Sequence, residues 1–143
     1  MLIEQILSDK GSEVVTIRSD ATIVDAVQLL RERNIGALVV SDDGEHVVGI
    51  LSERDVVRSL ADGPEVLSRS VADLMTSVVA TCDGKATIEQ LMAMMTGRRI
   101  RHVPVIEGDR LAGIVSIGDV VKARVGELEV EAHALHDYIT HGR

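Results

Sequence analysis

The chain has 143 residues, 45% of them apolar, and its single aromatic residue is Tyr138. One compact domain with an aliphatic core of Val, Ile, Leu, Ala and Met is the natural expectation. The formal net charge of −8 excludes a general nucleic-acid or membrane-surface binder, which needs a basic face, and the lone Cys82 excludes an internal disulfide or a cysteine-built zinc site.

Residues 1–9 carry Glu4 and Asp9 and no long apolar run, so they read as neither a signal peptide nor a membrane span. A cytoplasmic protein without nucleic-acid or membrane contact is expected. In chain order, residues 2–7 read as a short amphipathic helix or turn and 14–17 as a short strand. Thr22-Ile-Val-Asp25 has the spacing of a capping box, and Ile23, Ala26, Val27 and Leu30 follow at helical spacing. Residues 37–40 and 47–51 read as two strands joined by the turn-forming stretch 41–45, and a second helix starts near Ser52.

The same order then recurs. A helix or turn at 71–75 precedes a strand at 78–82, a capping box Thr87-Ile-Glu-Gln90, and apolar positions Ile88, Leu91, Met92 and Met95. Strands at 102–106 and 111–115 follow, then a helix from about Ser116. Residues 14–17, 22–23 and 35–40 reappear 65 positions later, whereas Gly49-Ile-Leu-Ser-x-x-Asp55 reappears 64 later as Gly113-Ile-Val-Ser-x-x-Asp119. Matches in one order, with length changes confined to loops, indicate duplication. Each unit is β-α-β-β-α. A strand pair this small cannot bury both faces alone, but two units can share a core.

The strings Ile35-Gly-Ala-Leu-Val-Val with Gly49-Ile-Leu-Ser-Glu-Arg-Asp55, and Ile100-Arg-His-Val-Pro-Val with Gly113-Ile-Val-Ser-Ile-Gly-Asp119, resemble the CBS (cystathionine-β-synthase-like) motif. The tandem resembles a CBS pair, or Bateman module, over roughly residues 1–125. The resemblance implies an α/β (α+β) fold in which motif 1 with its N-terminal helix (1–69) and motif 2 (70–125) pack as a pseudo-two-fold pair. It also implies two clefts for adenosyl ligands, and dimerisation of pairs. AMP or ATP is the ligand expected first, with NAD(H) or S-adenosylmethionine as further candidates and no metal required.

Ser52-x-x-Asp55 and Ser116-x-x-Asp119 admit two readings. Each is a good helix start by itself, worth about 1 kcal/mol. The same geometry offers phosphate a hydroxyl and free N–H groups, and offers the ribose a carboxylate. By resemblance, the Asp119 cleft takes its adenine walls from Val15, Ile35, Gly36 and Ala37, with Ser116 and Asp119 on ribose and phosphate. Arg101 aligns with a family position that often faces phosphate, and His102 lies in the same cationic run, Arg98-Arg99-Ile100-Arg101-His102. The bland reading of that run is a solvated helix end. The Asp55 cleft takes Ala80 and Ile100 for the base and Ser52, Arg54 and Asp55 for sugar and phosphate. Gly36 stands where the second unit has Arg101, so this cleft is expected to be the less cationic. Pro104 has Val39 as its counterpart, a packing difference.

The final segment keeps a helical pattern over 119–140. Val121, Val125, Leu128, Ala132, Leu135 and Ile139 are spaced 4, 3, 4, 3, 4, a heptad seam. Such a helix either lies on its own module or meets a second subunit; the second is favoured, in keeping with a homodimer. Glu129, His133 and His136 share one side, as a solvated face or, less expectedly, a metal site. Cys82 has no base nearby in sequence, and no phosphate-loop or dinucleotide motif is present. A non-catalytic sensor signalling to a separate protein effector is the functional expectation, with a structural dimerisation module of non-functional clefts as the alternative.

Overall fold

The computed structural model describes residues 1–141. Both expected capping boxes form. Thr22 Oγ1 accepts the Asp25 N–H at 3.2 Å and Thr87 Oγ1 accepts the Gln90 N–H at 3.1 Å. They start α2 (Ile23–Arg33) and α5 (Ile88–Arg98), two helices of identical length. Each buries three apolar residues, Ile23, Ala26 and Leu30 or Ile88, Leu91 and Met95. Val27 and Met92, expected in the same stripes, stand at their edge and stay exposed.

The first unit holds a three-stranded sheet. β1 (Thr16–Ile17) runs parallel to β2 (Ala37–Val40), which pairs antiparallel with β3 (Gly49–Ser52). The second unit holds the antiparallel pair β4 (His102–Glu107) and β5 (Arg110–Ser116). The strand expected at 78–82 is reduced to one parallel bridge, Cys82 to Val105. Pro104 explains the loss. The Thr16–Val39 pair of the first unit needs an N–H from Val39, and proline at the matching place has none. The expected strand 47–51 starts later, at Gly49, because Asp43 gathers the Glu45 and His46 N–H groups into a turn.

Helices and sheets make two cores. Ile17, Ile23, Leu38, Val40 and Leu51 centre one; Ile88, Leu91, Val103, Val105 and Val115 centre the other. The lead-in helices cross over between them. α1 (Ile3–Lys10) sends Ile3 and Ile6 into the core of the second unit, and α4 (Val71–Leu74) sends Val71 into the core of the first. Backbone bonds repeat the exchange. The Ile3 N–H donates to the Ala86 carbonyl at 2.9 Å, and the Val71 N–H donates to the Ala21 carbonyl at 2.8 Å. Gly49 and Gly113 make room for this. A Cβ on Gly49 would lie 2.4 Å from Met75 Sδ, and one on Gly113 would lie 2.7 Å from Leu7 Cδ2.

After β3 the chain forms α3 (Glu53–Ser59) and two 3-10 turns, Leu60–Asp62 and Pro64–Ser68. After β5 it forms α6 (Ile117–His141), one helix of 25 residues. The seam residues Val121, Val125, Leu128, Leu135 and Ile139 are all exposed along it.

The two hairpin turns meet each other. The Leu111 N–H donates to the Glu45 carbonyl at 2.6 Å, and Arg110 stands 3.6 Å from the Glu45 carboxylate. His46 joins both turns, with Nδ1 2.6 Å from Asp43 and Nε2 3.4 Å from Asp109. The hydrogen bond and charge of Asp43, then those of Asp109, raise the His46 pKa above its ordinary value. A raised pKa gives a contribution that is complete below the unfolded-state value and fades as pH rises through the folded one. His46→Ala should therefore lower the melting temperature at about pH 5.5, below the ordinary imidazole pKa, and have little effect well above neutrality. Paired thermal melts of the two proteins across pH check this.

Candidate functional site

β3 ends at Ser52, whose Oγ accepts the Asp55 N–H at 3.3 Å while Asp55 Oδ2 accepts the Ser52 N–H at 2.9 Å. The cap uses Oδ2 and not Oδ1. This capped turn forms one wall of a cavity of about 880 Å³. Ser52, Arg54, Asp55, Ala80 and Ile100, expected together, all line it. Gly36, Ala37, Arg101 and His102, expected at the Asp119 cleft, line this cavity instead. Val15 and Ile35 pack against the core of the first unit.

The difference follows from how α5 ends. Arg99 takes a left-handed conformation, φ 55°, and the Ile100 N–H returns to the Met95 carbonyl. The chain then enters β4 with residues 98–102 against the first unit. Five arginines line the cavity, Arg54, Arg58, Arg98, Arg99 and Arg101, against two carboxylates, Glu53 and Asp55. A chain of net charge −8 thus presents a locally cationic cavity. Burial pushes the His102 imidazole down from its ordinary pKa, so at neutral pH it contributes a neutral ring. His102 also lies 3.3 Å from where a Gly36 Cβ would stand, so a side chain at Gly36 would press on the imidazole ring.

The Asp119 side is built differently. Asp119 Oδ2 accepts the Ser116 N–H at 2.9 Å and Ser116 Oγ at 3.0 Å, and it also receives Lys10 Nζ at 2.7 Å. Lys10 Nζ donates further to the Ile114 carbonyl at 2.9 Å. Burial pushes the Asp119 pKa up, but Lys10 and Ser116 together outweigh it and the net shift is downward. The Asp119 carboxylate is thus paired with the chain's own ammonium group. Loop length is the cause. Six residues, Ser8 to Glu13, stand where the second unit has three, Thr76 to Val78. α1 uses the extra length to run one turn beyond the point where α4 stops. Asp119 lines a groove of about 730 Å³ between α1 and α6 rather than an arginine-lined cleft.

A CBS domain family model matches residues 4–62 and again residues 71–126. The chain belongs to the CBS domain family. It is a tandem CBS pair, with 37% identity to the mitochondrial CBS domain-containing protein CBSX3 of Arabidopsis thaliana over 98% of this chain and 72% of that protein. The crystal structure of a CBS-domain-containing protein from Agrobacterium tumefaciens is 49% identical, with a TM-score of 0.84 over 87% of this chain and 99% of that one. A CBS domain pair solved in complex with 5′-methylthioadenosine and S-adenosyl-L-methionine is 26% identical, with a TM-score of 0.77, and covers 86% of this chain and 98% of that one.

Sequence reasoning missed Lys10 and Arg58 in the CBS clefts. The three-residue surplus after α1 was the available signal for Lys10, and the i, i+4 spacing from Arg54 was the signal for Arg58. Among the described residues no group of three His, Cys, Asp or Glu is placed to hold a metal ion, and His133 pairs instead with Asp137 at 3.4 Å.

Asn34 occupies the same left-handed cap in the first unit that Arg99 occupies in the second. Asparagine tolerates this conformation, whereas a longer side chain adopts it at a cost of up to about 1–2 kcal/mol. Arg99→Asn should stabilise the protein by up to about 1 kcal/mol while removing a cation from the cavity. Denaturant melts read the first effect, and weaker binding of inorganic triphosphate reads the second.

Proposed function

We propose that this CBS pair is a non-catalytic sensor that binds one phosphate-bearing adenine nucleotide per chain in the cavity between Asp55 and the Arg98–Arg101 run. The observation carrying the reading is the cavity itself, in which five arginines face the same space as the capped Asp55 carboxylate. Ala80 and Ile100 offer the apolar contacts an adenine ring needs. Asp55 Oδ1, outside the cap, suits the ribose hydroxyls, and the arginines suit phosphate oxygens. AMP, ADP and ATP fit this charge best, and NAD(H) fits it through its pyrophosphate. S-adenosylmethionine, found in a relative, carries a sulfonium and an ammonium, which the arginines repel.

Binding supports signalling because a ligand that bridges Asp55 and Arg101 touches both units at once. Such a ligand favours whichever arrangement of the units brings those groups together, and so shifts their equilibrium. A separate protein effector reads that state. The sensor works as a homodimer, in a reducing compartment such as the cytoplasm.

The test is isothermal calorimetry and thermal shift with AMP, ATP, NAD(H) and S-adenosylmethionine. AMP and ATP should raise the melting temperature, and S-adenosylmethionine should not. Asp55→Asn preserves the cap's shape and should weaken AMP by roughly 10–100-fold, the loss of a charge-assisted hydrogen bond. Arg101→Ala should weaken ATP more than adenosine. If none of the four ligands binds at millimolar concentration, a structural module with non-functional clefts is the better reading.

The Lys10–Asp119 contact sets the stoichiometry. Calorimetry should give one nucleotide per chain in the natural protein. Lys10→Ala frees Asp119, and a second, weaker equivalent should then appear. Two equivalents without the substitution would show that Lys10 does not guard the second cleft.

A further inference from the structure

From Leu128 to His141 every residue of α6 is exposed. A segment of this length, on its own in water, is close to the limit at which a helix holds. Apolar side chains add to the difficulty. Val121, Val125 and Leu128 are 47–52% exposed, and Leu135 and Ile139 are 60–61% exposed. The chain's own body cannot cover them. Val120 is buried in the second core and Ala123 packs against it, while Gly126, Glu127 and Val130 face the groove beside α1. At 3.6 residues per turn these positions lie on the opposite side of α6 from the seam.

We infer that the seam of α6 pairs with the same seam of a second copy, in a parallel two-stranded coiled coil running from Val121 to Ile139. This rests on the homodimer reading above and names its interface and orientation. Three observations select the occupant and its direction. First, the spacing assigns Val125, Ala132 and Ile139 to one set of core positions (a) and Val121, Leu128 and Leu135 to the other (d). Two of the three a positions are β-branched and two of the three d positions are leucine, the pattern of a two-stranded coil. Second, the flanking charges match across a parallel pair. Arg124 of one helix faces Glu129 of the other. Third, an antiparallel pair that covers all six seam residues would set Glu129 against Glu129 and Glu131 against Glu131, which repels. Shifting the antiparallel register by one heptad removes that clash. In one direction the shift drives Leu135 and Ile139 against residues 118 and 114, where β5 and the start of α6 already pack, and in the other it leaves Val121 and Val125 opposite no seam residue.

The full chain tests this in two ways. Light scattering at micromolar concentration should give a dimer, and Leu128→Glu combined with Leu135→Glu should give a folded monomer that loses helicity only at the far end of α6. Val130→Glu, on the opposite face, should leave the dimer intact. Ile139→Cys should cross-link between chains under mild oxidation. The natural thiol does not compete, because burial, with the Asp83 charge, pushes the half-buried Cys82 up to about 11. An antiparallel pair would separate the two introduced thiols by about 27 Å at 1.5 Å per residue and leave them unlinked. A natural protein that is monomeric overturns the coil and the dimer reading together. A dimer that survives the double glutamate variant overturns the coil alone. A dimer whose residue-139 thiols stay unlinked overturns the parallel direction. AMP affinity should stay within about two-fold in the monomeric variant, since the cavity lies within one chain, so a failure of nucleotide binding is scored separately.

Discussion

Every element of this molecule depends on the exchange of its two lead-in helices. Ile3 and Ile6 fill the core of the second unit, and Val71 fills the core of the first. Burying an aliphatic side chain of this size contributes about 1.5–3 kcal/mol, a large share of the net stability of a small domain. Neither unit is complete without a segment that belongs in sequence to the other. The exchange also fixes how the units face one another. That facing brings the Asp55 turn and the arginine run to one cavity.

The exchange has a second consequence for symmetry. Lead-in segments of equal length would give two equal clefts. Here the six residues after α1 replace the three after α4, α1 gains a turn, and Lys10 reaches Asp119. The second unit in turn carries three of the five arginines that line the Asp55 cavity, Arg98, Arg99 and Arg101. A duplicated fold thereby holds one cleft whose carboxylate is only capped and one whose carboxylate is also paired with an ammonium group. The net charge of the chain says nothing of either, because electrostatics at a site is set by which charges the fold gathers.

What could be read from the residues was what local physics determines. The Thr22 and Thr87 caps, both hairpins and the continuous final helix are encoded within a few residues of themselves, and they form as expected. The Ser52, Arg54, Asp55, Ala80 and Ile100 grouping was also legible, because the repeat aligns the second unit with the first. Two features were not. The position of Arg101 depends on the left-handed turn at Arg99, and arginine does not advertise that conformation as glycine or asparagine would. The reduced strand before Cys82 depends on a missing N–H at Pro104, more than twenty residues away. Both are decided by tertiary partners rather than by local propensity.

The exchanged helices bear on how the chain is made. α1 leaves the ribosome before the residues that receive it, which lie at 84–91 and 103–115. α1 must wait, undocked, until those later residues have been synthesised. The first unit waits too, for Val71. Folding of the halves is therefore not sequential with synthesis. The amphipathic N-terminal turn, with Ile3, Ile6 and Leu7 uncovered during that interval, is the part of the nascent protein most in need of protection from other chains.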